Sequence, residues 1–343
     1  MKRTIISMFV ALLAIVTVQA QQIAVVSGDE TTMYQTLAEA IEGAKSGSTI
    51  YLPGGGFQIA DNVTIKKQLT IIGIGHKPNG DNADGNTNVS GNITFDEGSS
   101  GSSVMGCYIS GTVNVGYAHN GEKYVPVNNV NNIIIKYCNI NNLSVSNNTC
   151  TGTIINQNYI RNDLSFNNSE GYLTNNVLKY IKNIKGGNVS NNVICGSVHI
   201  RSYDYVIIAE NSTIKFNVIL NPLNLCISPE YNANHVYNCS DCQIFGNMIR
   251  GVNDNSDEQP INVGDTDWKE VFEDYNGGKI SPASKFKFTE KYQEYSNIGI
   301  YGGNTKFSDS GMAPVPFIEA KDIPDKTDAE GKLNIKIRVK ASE

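Results

Sequence analysis

Charge is scarce in this sequence. Asp, Glu, Lys and Arg make up 17% of it, and the balance is acidic, with a net charge of −6 and a pI near 5.4. A nucleic-acid binder needs a basic footprint, so that class is excluded. Long apolar runs are scarce too. One stands out, Ile5 to Val18, behind Lys2 and Arg3 and ending in Val18-Gln19-Ala20. A basic start, a short apolar run and small residues at a cut define a secretory signal peptide over residues 1–20. The run is short for a membrane span, and no later run is long enough to cross a bilayer. No Cys follows the expected cut near Gln21, which argues against a lipid-anchored start. The expected address is therefore secreted, periplasmic or cell-surface, with no transmembrane segment after cleavage. Cysteine is odd in number: seven, all after the signal, so at least one has no partner within a monomer. Cys239-Ser240-Asp241-Cys242 is a lone C-x-x-C. Zinc there would need Cys226 and His235; a local disulfide or two plain core residues are the other readings.

Strong helix formers are few between Asn132 and Arg250, and what replaces them is a repeat. One or two Asn precede two apolar residues in Asn158-Tyr159-Ile160, Asn176-Val177-Leu178, Asn192-Val193-Ile194, Asn217-Val218-Ile219 and Asn247-Met248-Ile249. Cys138-Asn139-Ile140 reads as an earlier copy, and Cys107-Tyr108-Ile109 shares its pattern. Those two Cys read as buried small apolar residues. Counting the Asn before each apolar pair, the steps are 19, 18, 16, 25 and 30 residues (139, 158, 176, 192, 217, 247). A unit of that size stacks on its neighbours to bury one continuous core. The residues between are β-branched, aromatic and Asn-rich, so the coils are strands and the solenoid is a parallel β-helix. Asn accepts left-handed backbone angles at corners, and its amide can bond to the coils above and below. Stacked Asn ladders are thus the expected role of most of these Asn.

The opening has a different composition. Ile23 to Ser27 reads as a strand and Tyr34 to Lys45 as a helix, with Thr36 and Glu39 as a capping box. Thr49 to Leu52, Val63 to Ile65 and Leu69 to Ile72 read as further strands. The run from Tyr34 to Gly75 carries Ala40-Ile41, Gly47, Ile50-Tyr51-Leu52-Pro53 and Val63 through Gly73, in that order. It resembles the amino-terminal cap and first coil of right-handed parallel β-helix proteins of the pectin-lyase-like superfamily. Near the other end stand Gly299-Ile300-Tyr301-Gly302-Gly303 and Ser310-Gly311-Met312-Ala313-Pro314-Val315-Pro316. This is similar to the carboxy-terminal segment of many secreted bacterial β-helix proteins, although Lys306-Phe307 stands where Pro-Tyr is usual. The resemblance implies a single right-handed parallel β-helix, all-β, with an N-terminal α-helical cap and a segment that closes the far end. It assigns no reaction, because the same cap opens lyases, hydrolases, esterases and proteins of no known activity. The expected organisation is a signal peptide over 1–20, a cap and first coil over 21–75 and coils over 76–252. An acidic loop, closing segment and final strand fill 253–343. Leu333 to Lys340 alternates strictly, a strand with one basic side.

Function on a filled solenoid belongs on an outer side, where equivalent positions form columns about 4.8 Å apart. Aligning the polar strands puts Asn167, Lys185 and Arg201 in one column and Ser165, Asn183 and His199 in the next. Tyr203, Asp204 and Tyr205 follow at once. The expected partner is a polysaccharide or surface glycan, with Lys185 and Arg201 on charge and Tyr203 or Tyr205 on a sugar ring. Asn183 and Asp204 complete this binding set. The alternative is a metal-independent polysaccharide lyase, with His199 or Lys185 as base and Arg201 on the uronate carboxylate. A structural or adhesive surface protein is the third reading. Glycosidase signatures and paired carboxylates are lacking. No cofactor is expected. Calcium has two candidate loops, Asn79 to Gly85 and the stretch with Asp254, Asp257 and Glu258.

Overall fold

The structure, a computed structural model, describes residues 22–58, 62–76, 85–146, 149–200, 203–220, 236–251, 257–305, 307–322, 324, 326–328 and 330–341. The signal-peptide assignment lies outside these residues. No helix among them is long and apolar enough to cross a membrane.

The chain winds as a parallel β-solenoid with three walls. The first wall is an eleven-stranded sheet, nine of whose strands run in parallel register from Ser48–Tyr51 to Gln243–Phe245. The other two, Ile23–Ser27 and Glu30–Tyr34, pair antiparallel at its beginning. A sixteen-stranded sheet supplies the second and third walls. Strands Tyr108–Val115 and Asn139–Val145 run through both, with an irregularity at the corner. In later coils the corner separates them, as in Tyr159–Ile160 and Leu164–Ser169.

Period-two alternation explains the filling. On the first wall Ile50, Ile71, Val104, Ile135, Ile155, Leu173, Val189, Ile214 and Ile244 stack in register, all buried. Ile109, Ile140, Ile160, Leu178, Ile194 and Ile219 do the same on the second. The expected opening helix is present but shorter, Leu37–Gly43, with the capping box of Thr36 and Glu39 formed. Tyr34 belongs to the strand before it.

Between first and second walls runs a buried amide ladder. Asn158, Asn176, Asn192, Asn217 and Asn247 are all fully buried. The first four Nδ2 each donate forward to the Oδ1 of the next member at 2.9–3.0 Å, and Asn247 Nδ2 donates to Asp257 Oδ2 at 2.9 Å. Each also reaches back to a carbonyl of the coil before, for Asn192 that of Leu173. Each Oδ1 after the first also takes the main-chain N–H of the preceding Asn. The corner residues ahead of them, Gln157, Asn175, Asn191 and Phe216, have positive φ. Asn139 is not a member. It pairs with Tyr159, and the position equivalent to Asn158 is Cys138, whose N–H donates to Asn158 Oδ1 at 2.9 Å. The step there is 20 residues rather than 19. Cys107 and Cys138 are buried thiols, as expected. Burial pushes the Cys138 thiol up to about 12 and raises Cys107 as well. One coil earlier the corresponding position, just before the Asn88 that pairs with Tyr108, is the buried Thr87, whose Oγ1 donates back to Pro53 O at 3.1 Å.

The C-terminal segment does not simply plug the far end. The second wall's outward residues are apolar: Tyr159, Val177, Val193, Val218 and Met248. Trp268, Phe272, Phe286, Phe288 and Ile298 cover them and form a second core. Trp268 Nε1 donates to Leu220 O at 2.7 Å. The chain then travels back along the corner. Asn191 Nδ2 donates to Asn297 O, Asn175 Nδ2 to Ile300 O, and Gln157 Oε1 accepts from Ser308 N. Gly311 reaches His76, and Met312 reaches Gly75. The final strand, Lys336–Ala341, pairs antiparallel with Pro316–Asp322 rather than along the solenoid.

Phe272 is 1% exposed and its ring contacts Trp268, Phe286 and Phe288. Phe272→Ala is expected to cost about 3–5 kcal/mol through cavity formation. Limited proteolysis should show faster cleavage within 264–305, with cleavage of the coils unchanged.

Candidate binding face

The third wall keeps polar residues outside. Its early part is covered by a hairpin, Tyr117–His119 with Tyr124–Pro126. Asn92 Nδ2 donates to Tyr124 Oη, and Asn167 Nδ2 to Tyr117 Oη at 2.9 Å. Beyond it the wall kinks. Ser165 pairs with Lys182 and Ser169 with Ile184, so one strand carries two extra residues. They are absorbed where Asn167 and Asn168 take positive φ, and Asn183 does so opposite. The wall resumes with Ile207–Glu210, which puts Lys185 against Glu210 in an ion pair of 2.7 Å. Both side chains are about half exposed, so the pair contributes under about 1 kcal/mol.

Neither expected column forms. Ser165 stands beside Lys182, not Asn183, and Lys185 is followed by Glu210, not Arg201. Val198–Ile200 leaves the wall altogether. It pairs antiparallel with Tyr203–Tyr205, bringing Val198 opposite Tyr205, His199 opposite Asp204 and Ile200 opposite Tyr203. The cause is length. The step from Asn192 to Asn217 is 25 residues against 16 for the one before, and the surplus folds as a hairpin at the corner between second and third walls. Arg201 lies outside the described residues. So do Asp254, Cys226, His235 and most of the loop at Asn79.

That corner holds a cluster not expected from the sequence. The Arg161 guanidinium lies 4.4 Å from the centre of the Tyr108 ring. Its Nη1 donates to Asn139 Oδ1 at 2.8 Å and its Nη2 to Ile109 O at 3.3 Å. One coil on, the Tyr180 hydroxyl donates to Asp163 Oδ1 at 2.8 Å. Burial, then the hydrogen bond and charge of Asp163, push that phenol up to about 12. Lys179 Nζ sits 5.6 Å from the centre of the Tyr180 ring. Asn162 Nδ2 donates to Asn141 Oδ1, and Asp163 N to Asn142 Oδ1. Two successive coils thus each supply a cation over an aromatic ring beside amides, Arg161 reaching back two coils to Tyr108 and Lys179 lying over its neighbour Tyr180. The signal was available: Arg161 and Lys179 each come three residues after a ladder Asn, 158 and 176.

Metal chemistry finds no three-ligand group of His, Cys, Asp or Glu among the described residues. Asp257 uses both oxygens inside, where they accept from Gly246 N, Asn247 N, Asn247 Nδ2 and Gln259 N. Cys239 and Cys242 are separate half-buried thiols against the main core. Comparisons of the chain with protein-family models, with curated proteins and with solved structures find no match.

Proposed function

We propose that this is an exported right-handed β-helix of the pectin-lyase-like kind, with helix Leu37–Gly43 as its N-terminal cap, and that it binds polysaccharide. The site is the third wall with its neighbouring corner. The observation that carries the reading is the repeated pairing of cation and ring on successive coils, Arg161 with Tyr108 and Lys179 with Tyr180. A sugar offers an apolar C–H face for a ring, and hydroxyls or carboxylates for amides and cations. The Asp163 carboxylate holds Tyr180, and Glu210 holds Lys185, so both acids serve to position neighbours. That supports binding over cleavage. A second reading, proton abstraction from a uronate, draws on the pairing of His199 with Asp204 in the hairpin.

A glycan array with protein spanning residues 21–343 tests this. Tyr180→Ala and Lys179→Ala are each expected to weaken the strongest signal at least about tenfold, roughly 1.4 kcal/mol. Lys269→Ala, on the covering segment, should leave it unchanged. Equal signals from all four proteins would remove this face from consideration. New ultraviolet absorbance on mixing with polyuronates, lost in His199→Ala, would favour the lyase instead.

A further inference from the structure

The terminal hairpin and the first edge strand are both incomplete, and they lie at the same end of the solenoid. Among the described residues, the hairpin strands Pro316–Asp322 and Lys336–Ala341 pair only with each other. Leu333, Ile335, Ile337 and Val339 are 43–61% exposed, an apolar stripe on alternate positions. Lys336, Arg338 and Lys340 take the positions between. A two-stranded sheet with an open apolar side is marginal in water and calls for further strands. Among the described residues the edge strand Glu30–Tyr34 pairs on one side only, with Ile23–Ser27. Its residues 30–33 are all exposed, Met33 by 49%. An open edge of this kind is a template for another strand.

The root of the hairpin sits close to that edge. Val315 and Pro316 line an apolar groove of about 220 Å³ with Ala24, Tyr51, Ile72 and Met312. Ala24 belongs to the strand next to the open edge. Charge is complementary as well. Asp29 and Glu30 stand at the edge, Glu30 paired with Lys45 at 2.8 Å, and Glu39 and Glu42 lie on the adjoining helix; the last hairpin strand carries three cations, of which Lys336 lies 3.9 Å from Asp322. We propose that two copies of this chain meet at this end, each laying its 316–341 hairpin along the other's Glu30–Tyr34 strand. Because donor and acceptor share one end, the exchange is reciprocal and closes as a two-fold dimer instead of growing into a fibre. The apolar stripe covers Met33 and Tyr51, and the lysines and arginine meet the acidic edge.

Sedimentation velocity on protein spanning residues 21–343 provides the test. A dimer is expected at micromolar concentration. Ile335→Asp with Ile337→Asp is expected to weaken it at least about a hundredfold, and Met33→Asp to weaken it also. The hairpin lies outside both cores, so thermal melts of the hairpin variant should match the parent; this separates lost association from lost folding. Mixing the hairpin variant with the edge variant should restore a weaker heterodimer, since one intact hairpin then meets one intact edge. A monomeric parent, or a dimer that survives Ile335→Asp with Ile337→Asp, overturns the proposal.

Discussion

Replacing Asn192 by leucine, a side chain of similar shape, is expected to be among the most damaging single changes in the coils. Leucine offers Asn176 no acceptor, so the N–H and the Nδ2 of Asn176 lose their 3.0 Å partners together. The carbonyls of Leu173 and Ser190 lose a donor. All of these groups are away from water, and an orphaned buried donor costs about 1–3 kcal/mol. The expected loss is about 4 kcal/mol, read from the midpoint of urea unfolding at constant slope. Asn162→Leu is the matched control. Its amide is exposed and bonded to one neighbour, so a change within about 0.5 kcal/mol is expected. Equal effects from the two substitutions would mean that the ladder is no more than a by-product of composition.

The second large effect is expected at Asp257, and it follows from the ladder's polarity. Every amide in the column donates toward the following coil, so the last one needs a group that only accepts. Asp257 is that group, 4% exposed, with four N–H donors shared between its two oxygens. In Asp257→Asn an NH2 replaces one oxygen and faces two donors. Charge-assisted bonds are lost and a donor is set against donors, for about 3 kcal/mol or more. The damage should be local. Hydrogen exchange is expected to quicken at Met248, Ile249 and Ile261, in the last two rungs, while Ile155 keeps its protection. Unchanged exchange at Met248 would show that the carboxylate is not what ends the column.

Much of the coil was legible because its marks are chemical as well as periodic. An Asn before two apolar residues fixes both a corner and the start of the second wall, as it does at 158, 176, 192, 217 and 247. The misreading at Asn139 came from a thiol in the column: Cys138 fills the position, and the neighbouring Asn draws the eye. Asp257 reads from the sequence as a calcium-loop carboxylate and not as the end of the ladder, because it follows Asn247 by ten residues, far less than a full circuit. Val198-His199-Ile200 alternates as a wall strand does, yet alternation is the same whether a strand joins the wall or folds back on its neighbour. The covered second wall did leave a sign. Val177-Leu178 and Val193-Ile194 are apolar on both sides, which marks strands buried on both faces. The candidate site was half legible for the same reason: Lys185 and Asn183 are wall residues, and what stands beside them depends on how the next circuit spends its surplus length.

The ladder also bears on how the molecule can change size. Between Asn158 and Asn247 every rung presents the same donor forward and the same acceptor back. Duplicating or deleting one whole turn there leaves each surviving rung with equivalent neighbours. Length can therefore change over evolutionary time in whole increments of about 4.8 Å, while the carboxylate fixes where the series terminates.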